Sequence, residues 1–301
     1  MKNNKFLLKN IFFSMSLAAI SANVSAAGIA FVTDVKGDAQ IGLLKATLMG
    51  ELEKGARISC VKDCQVGVMY VVSGKEFIIR GPGDFIIGDA DVTAKVGNAP
   101  TTRQTAWKVS SQTVTAVAKT ASASIRMRSI DVKAISAPPL PDRLIYPIDK
   151  TKVLSLQPDF RWQALNAKGP YEFELVASSA APADAAVNRT PKVIYKSKQT
   201  NLAVKLPANI KLQPDTTYAW QVNFGDANIA KSQFQTLPTH LLETTQRRKP
   251  DGTAGFSDWL LYALTLQEMG AKQDAQEVWG KLAKDRPDLP ELSVMARPAT
   301  D

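Results

Sequence analysis

The chain has little of what catalysis usually requires. Its 301 residues include one histidine, His240, and two cysteines, Cys60 and Cys64. A serine or cysteine nucleophile with a histidine base would have to use His240, which stands in a Pro-Thr-His stretch with no partner constellation in view. No Gly-Lys-Ser/Thr phosphate loop occurs, and Gly81-Pro82-Gly83 lacks the third glycine and the βαβ setting of a dinucleotide loop. Ser59-Cys60-Val61-Lys62 has the Ser-x-x-Lys spacing of penicillin-recognising enzymes, but that family's companion motifs are missing. Asp84, Asp89 and Asp91 do not follow calcium-loop spacing and read as turn caps. The expectation is a non-enzymatic protein without a catalytic set, metal or cofactor.

Long apolar runs are also scarce. A membrane-spanning helix needs about 20 apolar residues, and Ile11–Ile20 (IFFSMSLAAI) falls well short. That run follows Lys2, Lys5 and Lys9 and precedes Val24-Ser25-Ala26, the small-residue pattern a signal peptidase accepts. Residues 1–26 therefore read as a cleavable export signal, with the mature chain beginning at Ala27 in the bacterial periplasm. The first cysteine after it is Cys60, so a lipid anchor is not expected, nor is stable membrane insertion after cleavage. Losing three lysines and no acid takes the formal net charge from +9 to +6. That balance favours anionic envelope material and does not point to nucleic acid.

Export changes how the cysteines are read. Cys60 and Cys64 flank Val61-Lys62-Asp63, whereas redox and metal pairs usually have two intervening residues, and nothing nearby completes a metal site. In an oxidising compartment the pair reads as a disulfide holding a hairpin turn, with two free thiols as the other reading.

The organisation expected is mainly β, in three modules. Residues 27–97 are dense in short β-like runs: Ile29–Gly37, Val66–Val72, Lys75–Arg80 and Phe85–Ile87. Ser73-Gly74 reads as a hairpin turn, and Gly81-Pro82-Gly83-Asp84 as a sharp break. Residues 98–141 are rich in Thr, Ser and Ala, with no settled period as far as Ser124. One alternating run follows at Ser124–Arg128, then the proline-rich boundary Ala137–Pro141. Residues 142–240 carry alternating strands that include Phe160-Arg-Trp162, Tyr171–Leu175 and Tyr218–Val222. Trp162 and Trp220 fit a sandwich core, the alternative being an aromatic sugar-binding platform. Residues 241–301 open on a polar, basic connector, Thr244–Thr253, with the cluster Arg247-Arg248-Lys249. Helical spacing follows, with Trp259, Tyr262, Ala263, Leu266 and Met269 on one stripe and Ala275, Val278, Trp279 and Leu282 on a second.

Three resemblances attach to these modules. Phe31–Gly37, Leu52–Ile58, the Gly74 hairpin and Phe77–Pro82 resemble the FecR domain, a periplasmic β-domain named for a ferric-citrate signalling regulator. That regulator has a cytoplasmic segment ahead of a membrane helix, whereas this chain opens on a signal-like segment, so sigma-factor control is not implied. Leu212-Gln-Pro-Asp-Thr-Thr-Tyr218 is similar to the tyrosine corner of fibronectin type III domains, which implies a β-sandwich. The two helical stripes, with Gly270 between them and Pro287 after them, resemble a tetratricopeptide repeat in a single copy. Free-standing arrays usually need three or more copies, so the hairpin is expected to pack on the sandwich or on a partner.

Together these imply a scaffold contacting an envelope protein complex or peptidoglycan, the alternative being a ligand-sensing signalling component. The candidate partner-contact residues are Trp259, Trp279, Arg247, Arg248 and Lys249. The connector is expected to be mobile and the hairpin to serve docking more than folding.

Overall fold

The computed structural model describes residues 28–119, 144–163, 169–178 and 192–297. The expected export signal, the run Ser124–Arg128 and the Ala137–Pro141 boundary lie outside the described residues. The fold is mainly β with a helical C-terminal region.

The first module is two five-stranded antiparallel sheets. Its strands are β1 Ala30–Lys36, β2 Ala39–Ile41, β3 Leu44–Lys45, β4 Glu51–Leu52 and β5 Arg57–Cys60, followed by β6 Gln65–Tyr70, β7 Lys75–Arg80, β8 Gly83–Ile87, β9 Val92–Val96 and β10 Thr101–Gln104. One sheet runs β10-β7-β6-β1-β4 and the other β3-β2-β5-β8-β9. Between them lies a core of Val32, Leu52, Ile58, Val66, Val68, Ile79, Phe85 and their neighbours.

β1 is buried along nearly its whole length because it is covered on both faces. Ala30 and Val32 point into the inter-sheet core, while Phe31 points the other way, into a core shared with the C-terminal helices. On β6, Val66, Val68 and Tyr70 share one side and Met69 the other. A strand buried on both faces loses the alternation of a half-exposed one, which is why β6 reads as a near-continuous apolar run, whereas β1 also buries the polar Thr33 and Asp34.

Several boundaries differ from the sequence expectation. β6 ends at Tyr70, and Val71–Gly74 form the turn into β7, leaving Val72 88% exposed. β10 extends the first module beyond residue 97 by pairing with β7, with Thr101 opposite Ile78. Helix α1, residues 111–119, packs Val114 and Val117 into the core shared with the C-terminal helices.

The second module comprises β11 Leu144–Tyr146, β12 Thr151–Val153, β13 Asp159–Trp162, β14 Tyr171–Ser178, β15 Lys192–Gln199, β16 Ala203–Lys205, β17 Thr217–Phe224 and β18 Ala227–Thr236. They form a three-stranded sheet β11-β13-β16 and a five-stranded sheet β12-β18-β17-β14-β15, in which β12 runs parallel to β18. Alternation on β17 sends Tyr218, Trp220 and Val222 inward. Phe160 lies at the centre, 4.9 Å from Phe173, 5.6 Å from Trp220 and 5.9 Å from Phe234 between ring centroids. Trp162 and Trp220 are both enclosed in this core, so neither offers a face to a sugar. The Gln213 amide donates to the Tyr218 hydroxyl at 2.7 Å, tying the strand to the segment before it.

The C-terminal region is four helices: α2 Thr239–Arg248, α3 Phe256–Glu268, α4 Lys272–Asp285 and the short α5 Pro290–Met295. Gly270, at φ +83°, turns the chain between α3 and α4 in a conformation that a Cβ would strain. Thr244–Arg248, expected to be a mobile connector, is the last half of α2. The anticipated second stripe holds, since Ala275, Val278, Trp279 and Leu282 are all buried. α3 is buried on more of its surface than one stripe, from Leu260 through Leu266, because α4 covers one side and β1 another.

Candidate interaction groove at the module junction

The helices are fixed to the first module by two polar clamps. At the first, buried Glu76 accepts from Thr33 Oγ1 and from Arg103 Nε, both at 2.5 Å. Arg103 goes on to α3, with Nη1 2.8 Å from Asp258 Oδ2 and Nη2 2.8 Å from Ser257 Oγ. Asp258 also accepts from the Gly255 amide at 3.2 Å, capping the helix that Arg103 holds. Gly67 is the only residue type that fits beside this cluster, since a Cβ there would stand 2.5 Å from Thr33 Oγ1. At the second clamp Arg286 Nη1 lies 2.6 Å from Asp34 Oδ1, Nη2 donates to the Val35 carbonyl at 2.5 Å, and the guanidinium sits over the Phe256 ring.

The sandwich meets the helices along a more polar seam. The Lys152 amide donates to the Gly270 carbonyl at 3.0 Å, and the Ile148 amide donates to Gln273 Oε1 at 3.1 Å. Arg161 stands 3.8 Å from Glu277. Beside this seam a groove of about 340 Å³ opens between α2, α3 and the segment after β12. Leu154, Leu156, Leu242 and Tyr262 give it an apolar lining, and Thr245, Gln246 and Lys249 add polar groups. A concave, mostly apolar site with a few polar groups at a domain junction is the usual form of a binding pocket.

The candidate partner-contact residues separate on this geometry. Lys249 lines the groove. Arg248 turns away to the first module, donating to the Ala106 carbonyl at 3.3 Å and lying over the Trp107 ring at 5.9 Å. Arg247 is exposed and donates within its own helix, to the Glu243 carbonyl at 3.4 Å. Trp259 is partly buried, edge-on to the groove residue Tyr262 at 6.0 Å. Trp279 is 1% exposed and donates to Gln267 Oε1 at 3.3 Å, which places it in the core with no face for a partner. Its stripe is the signature of a buried helix face, and the size of the indole alone does not separate packing from docking.

The Cys60–Cys64 disulfide is present, with the Cα atoms 5.5 Å apart. It closes the passage from β5 in one sheet to β6 in the other, and so holds a corner between sheets where a hairpin turn was expected. His240 is exposed at the start of α2. Among the described residues no three His, Cys, Asp or Glu side chains gather as a metal site, and no helix is long and apolar enough to cross a membrane.

One group in the seam carried no sequence signal. Asp274 occupies the first turn of α4, where an acidic residue is ordinary, yet its Oδ2 is buried without a hydrogen-bond partner among the described residues. Burial, reinforced by the neighbouring Glu277 charge, pushes its carboxyl up to about 7. Comparison with protein-family models and with curated proteins finds no match for this chain.

Proposed function

We propose that this is an exported, non-enzymatic interaction protein of the bacterial envelope that uses the junction groove to hold a partner protein. The groove carries this reading: it is lined by side chains from two modules, so it exists only when the chain is assembled. Its apolar floor suits a partner's aliphatic or aromatic side chain, and Lys249 suits a flanking carboxylate. The buried disulfide agrees with an oxidising compartment, and the signal-like segment 1–26 agrees with export to the periplasm.

The module resemblances belong to the same proposal. The sandwich's strand order and the Gln213–Tyr218 tie favour a fibronectin-like module. The paired sheets of residues 30–104 favour a FecR-like one, and α3 with α4 a single tetratricopeptide-like hairpin.

The test is an envelope pull-down with full-length protein and with the double variant Leu242→Asp, Lys249→Glu, together with sedimentation on purified peptidoglycan. The reading expects a defined protein partner that the double variant loses while its melting temperature is kept. An unchanged partner list, or binding to peptidoglycan alone, would overturn it.

A further inference from the structure

The three modules are not held together equally. The first module and the helices share one core, in which Phe31, Met49, Met69 and Trp107 pack with Leu260, Leu264, Trp279 and Leu292. The sandwich has a core of its own, to which the helices contribute no buried residue among those described. It meets the helices through the Lys152 and Ile148 amides, the exposed Arg161–Glu277 pair, the Leu154 amide and Tyr146 beside Asp274, and the few leucines at the groove, of which Leu154 is partly buried. An interface that is small and polar permits relative motion, whereas a shared apolar core does not. The molecule is therefore a two-part body with its seam between the sandwich and α4.

An ionisable group with an unsatisfied oxygen lies in that seam. Asp274 is one residue from Gln273, which receives the Ile148 amide, and Oδ2 is shut away from solvent with no partner among the described residues. A buried carboxylate oxygen without a donor costs free energy that a protonated carboxyl largely avoids. We propose that Asp274 makes docking of the sandwich on the helical unit acid-dependent, closed while the carboxyl is protonated and loosened when it ionises.

The surroundings are consistent in sign. Tyr146 of β11 and Tyr262 of α3 face the group, and burial raises both hydroxyls, the latter to about 12, so they stay neutral throughout the range that matters. Glu277 on α4 pushes the Asp274 carboxyl up. Lys249 after α2, the Leu154 amide and the amide of Asp274 itself pull it down without offsetting burial. Arg161 of β13 is engaged with Glu277, and Lys152 of β12 lays its side chain alongside Gly270. In the closed form the carboxyl titrates at about 7, against 3.8 for the ordinary group. Closure is thus strongest below the lower value and weakens by up to tenfold per pH unit between the two, then changes no further above the higher one.

Amide hydrogen exchange on the full chain, expressed as protection factors so that the intrinsic pH dependence is divided out, tests this directly. From pH 5 to pH 8 the protection of the Ile148 and Lys152 amides should fall tenfold or more, with that of Val68 in β6 and Val222 in β17 unchanged. Asp274→Asn, which keeps the shape and cannot ionise, should remove the pH dependence at the seam. The same fall in the Asn variant, or no fall in the wild type, overturns the proposal. If that variant does not fold, a carbon-detected titration of the wild-type Asp274 carboxyl replaces it: a midpoint above 6 sustains the proposal, and one below 6 overturns it.

Discussion

Arg286 Nη1 lies 2.6 Å from Asp34 Oδ1, so a residue just past the end of α4 is paired with one in the first strand, 252 positions earlier. Both side chains are largely buried, and Arg286 reaches Asp288 and the Val35 carbonyl as well. Such a pair does not recruit a loose appendage, because closing it already requires α4 and β1 to be docked.

Arg286→Ala should therefore destabilise the protein by about 3 kcal/mol, since it strands a buried carboxylate. Asp34→Ala strands the guanidinium less severely, because Asp288 remains as a partner. A double-mutant cycle by chemical denaturation should show strong coupling between the two positions. Additive effects would mean that the pair is not formed in solution.

Truncation after Leu241 probes the same relationship on a larger scale. The sequence favoured a docking role for the hairpin, in which its removal leaves the sandwich folded and abolishes partner recovery, and it assigned the hairpin no part in the first module's core. In the structure, removing α3, α4 and α5 uncovers Phe31, Met49 and Met69 and leaves Glu76 and Arg103 without Ser257 and Asp258. The first module should lose stability, while the sandwich, with its separate core, should persist. Limited proteolysis with mass mapping distinguishes the outcomes: early cleavage within residues 30–104 and late cleavage within 192–236. Uniform resistance would show that the first module does not depend on the helices for its fold.

The division between what the sequence shows and what it hides follows contact range. Period-two alternation on β17, the glycine that ends α3 and the apolar stripe of α4 are set by near neighbours, and each was legible. Trp162 and Trp220 read correctly as sandwich core for the same reason. Residues 101–119 did not announce β10 or α1, because polar Thr101–Gln104 becomes a strand only by lying against β7. The candidate site was less legible still. Lys249 was picked out by charge, yet the leucines beside it come from segments almost 90 residues apart. Asp274 looked like any acid in a first helical turn until the sandwich was placed on it.

The disulfide should stabilise modestly. Closing a five-residue loop removes chain entropy worth about 2 kcal/mol, well short of what a long loop yields. Cys60→Ala with Cys64→Ala should lower the denaturation midpoint accordingly and raise exchange at the β5–β6 corner, without loss of the overall fold. Both sulfurs lie in the inter-sheet core, so alanine is the fair replacement and serine would add a desolvation cost. No change in midpoint would show that the corner is held by its strands alone.

Trp259 and Trp279 were paired by sequence and are separated by structure, and that contrast gives the sharpest test of where a partner binds. Trp279 is enclosed between α3 and α4, so Trp279→Ala should cost about 3–5 kcal/mol through lost contacts and a cavity. For a chain of this size that lowers the melting temperature by about 10 °C. Any loss of partner recovery should then track unfolding and disappear at a temperature where the variant is still folded. Trp259 is only partly buried and lies edge-on to Tyr262, whose ring lines the groove. Trp259→Ala should cost less than half as much stability and still weaken partner recovery, because it frees Tyr262 to move out of the groove wall. Thermal melts and envelope pull-downs of both variants at 15 °C separate these effects. Recovery lost with Trp279→Ala but kept with Trp259→Ala would place the partner elsewhere on the helices.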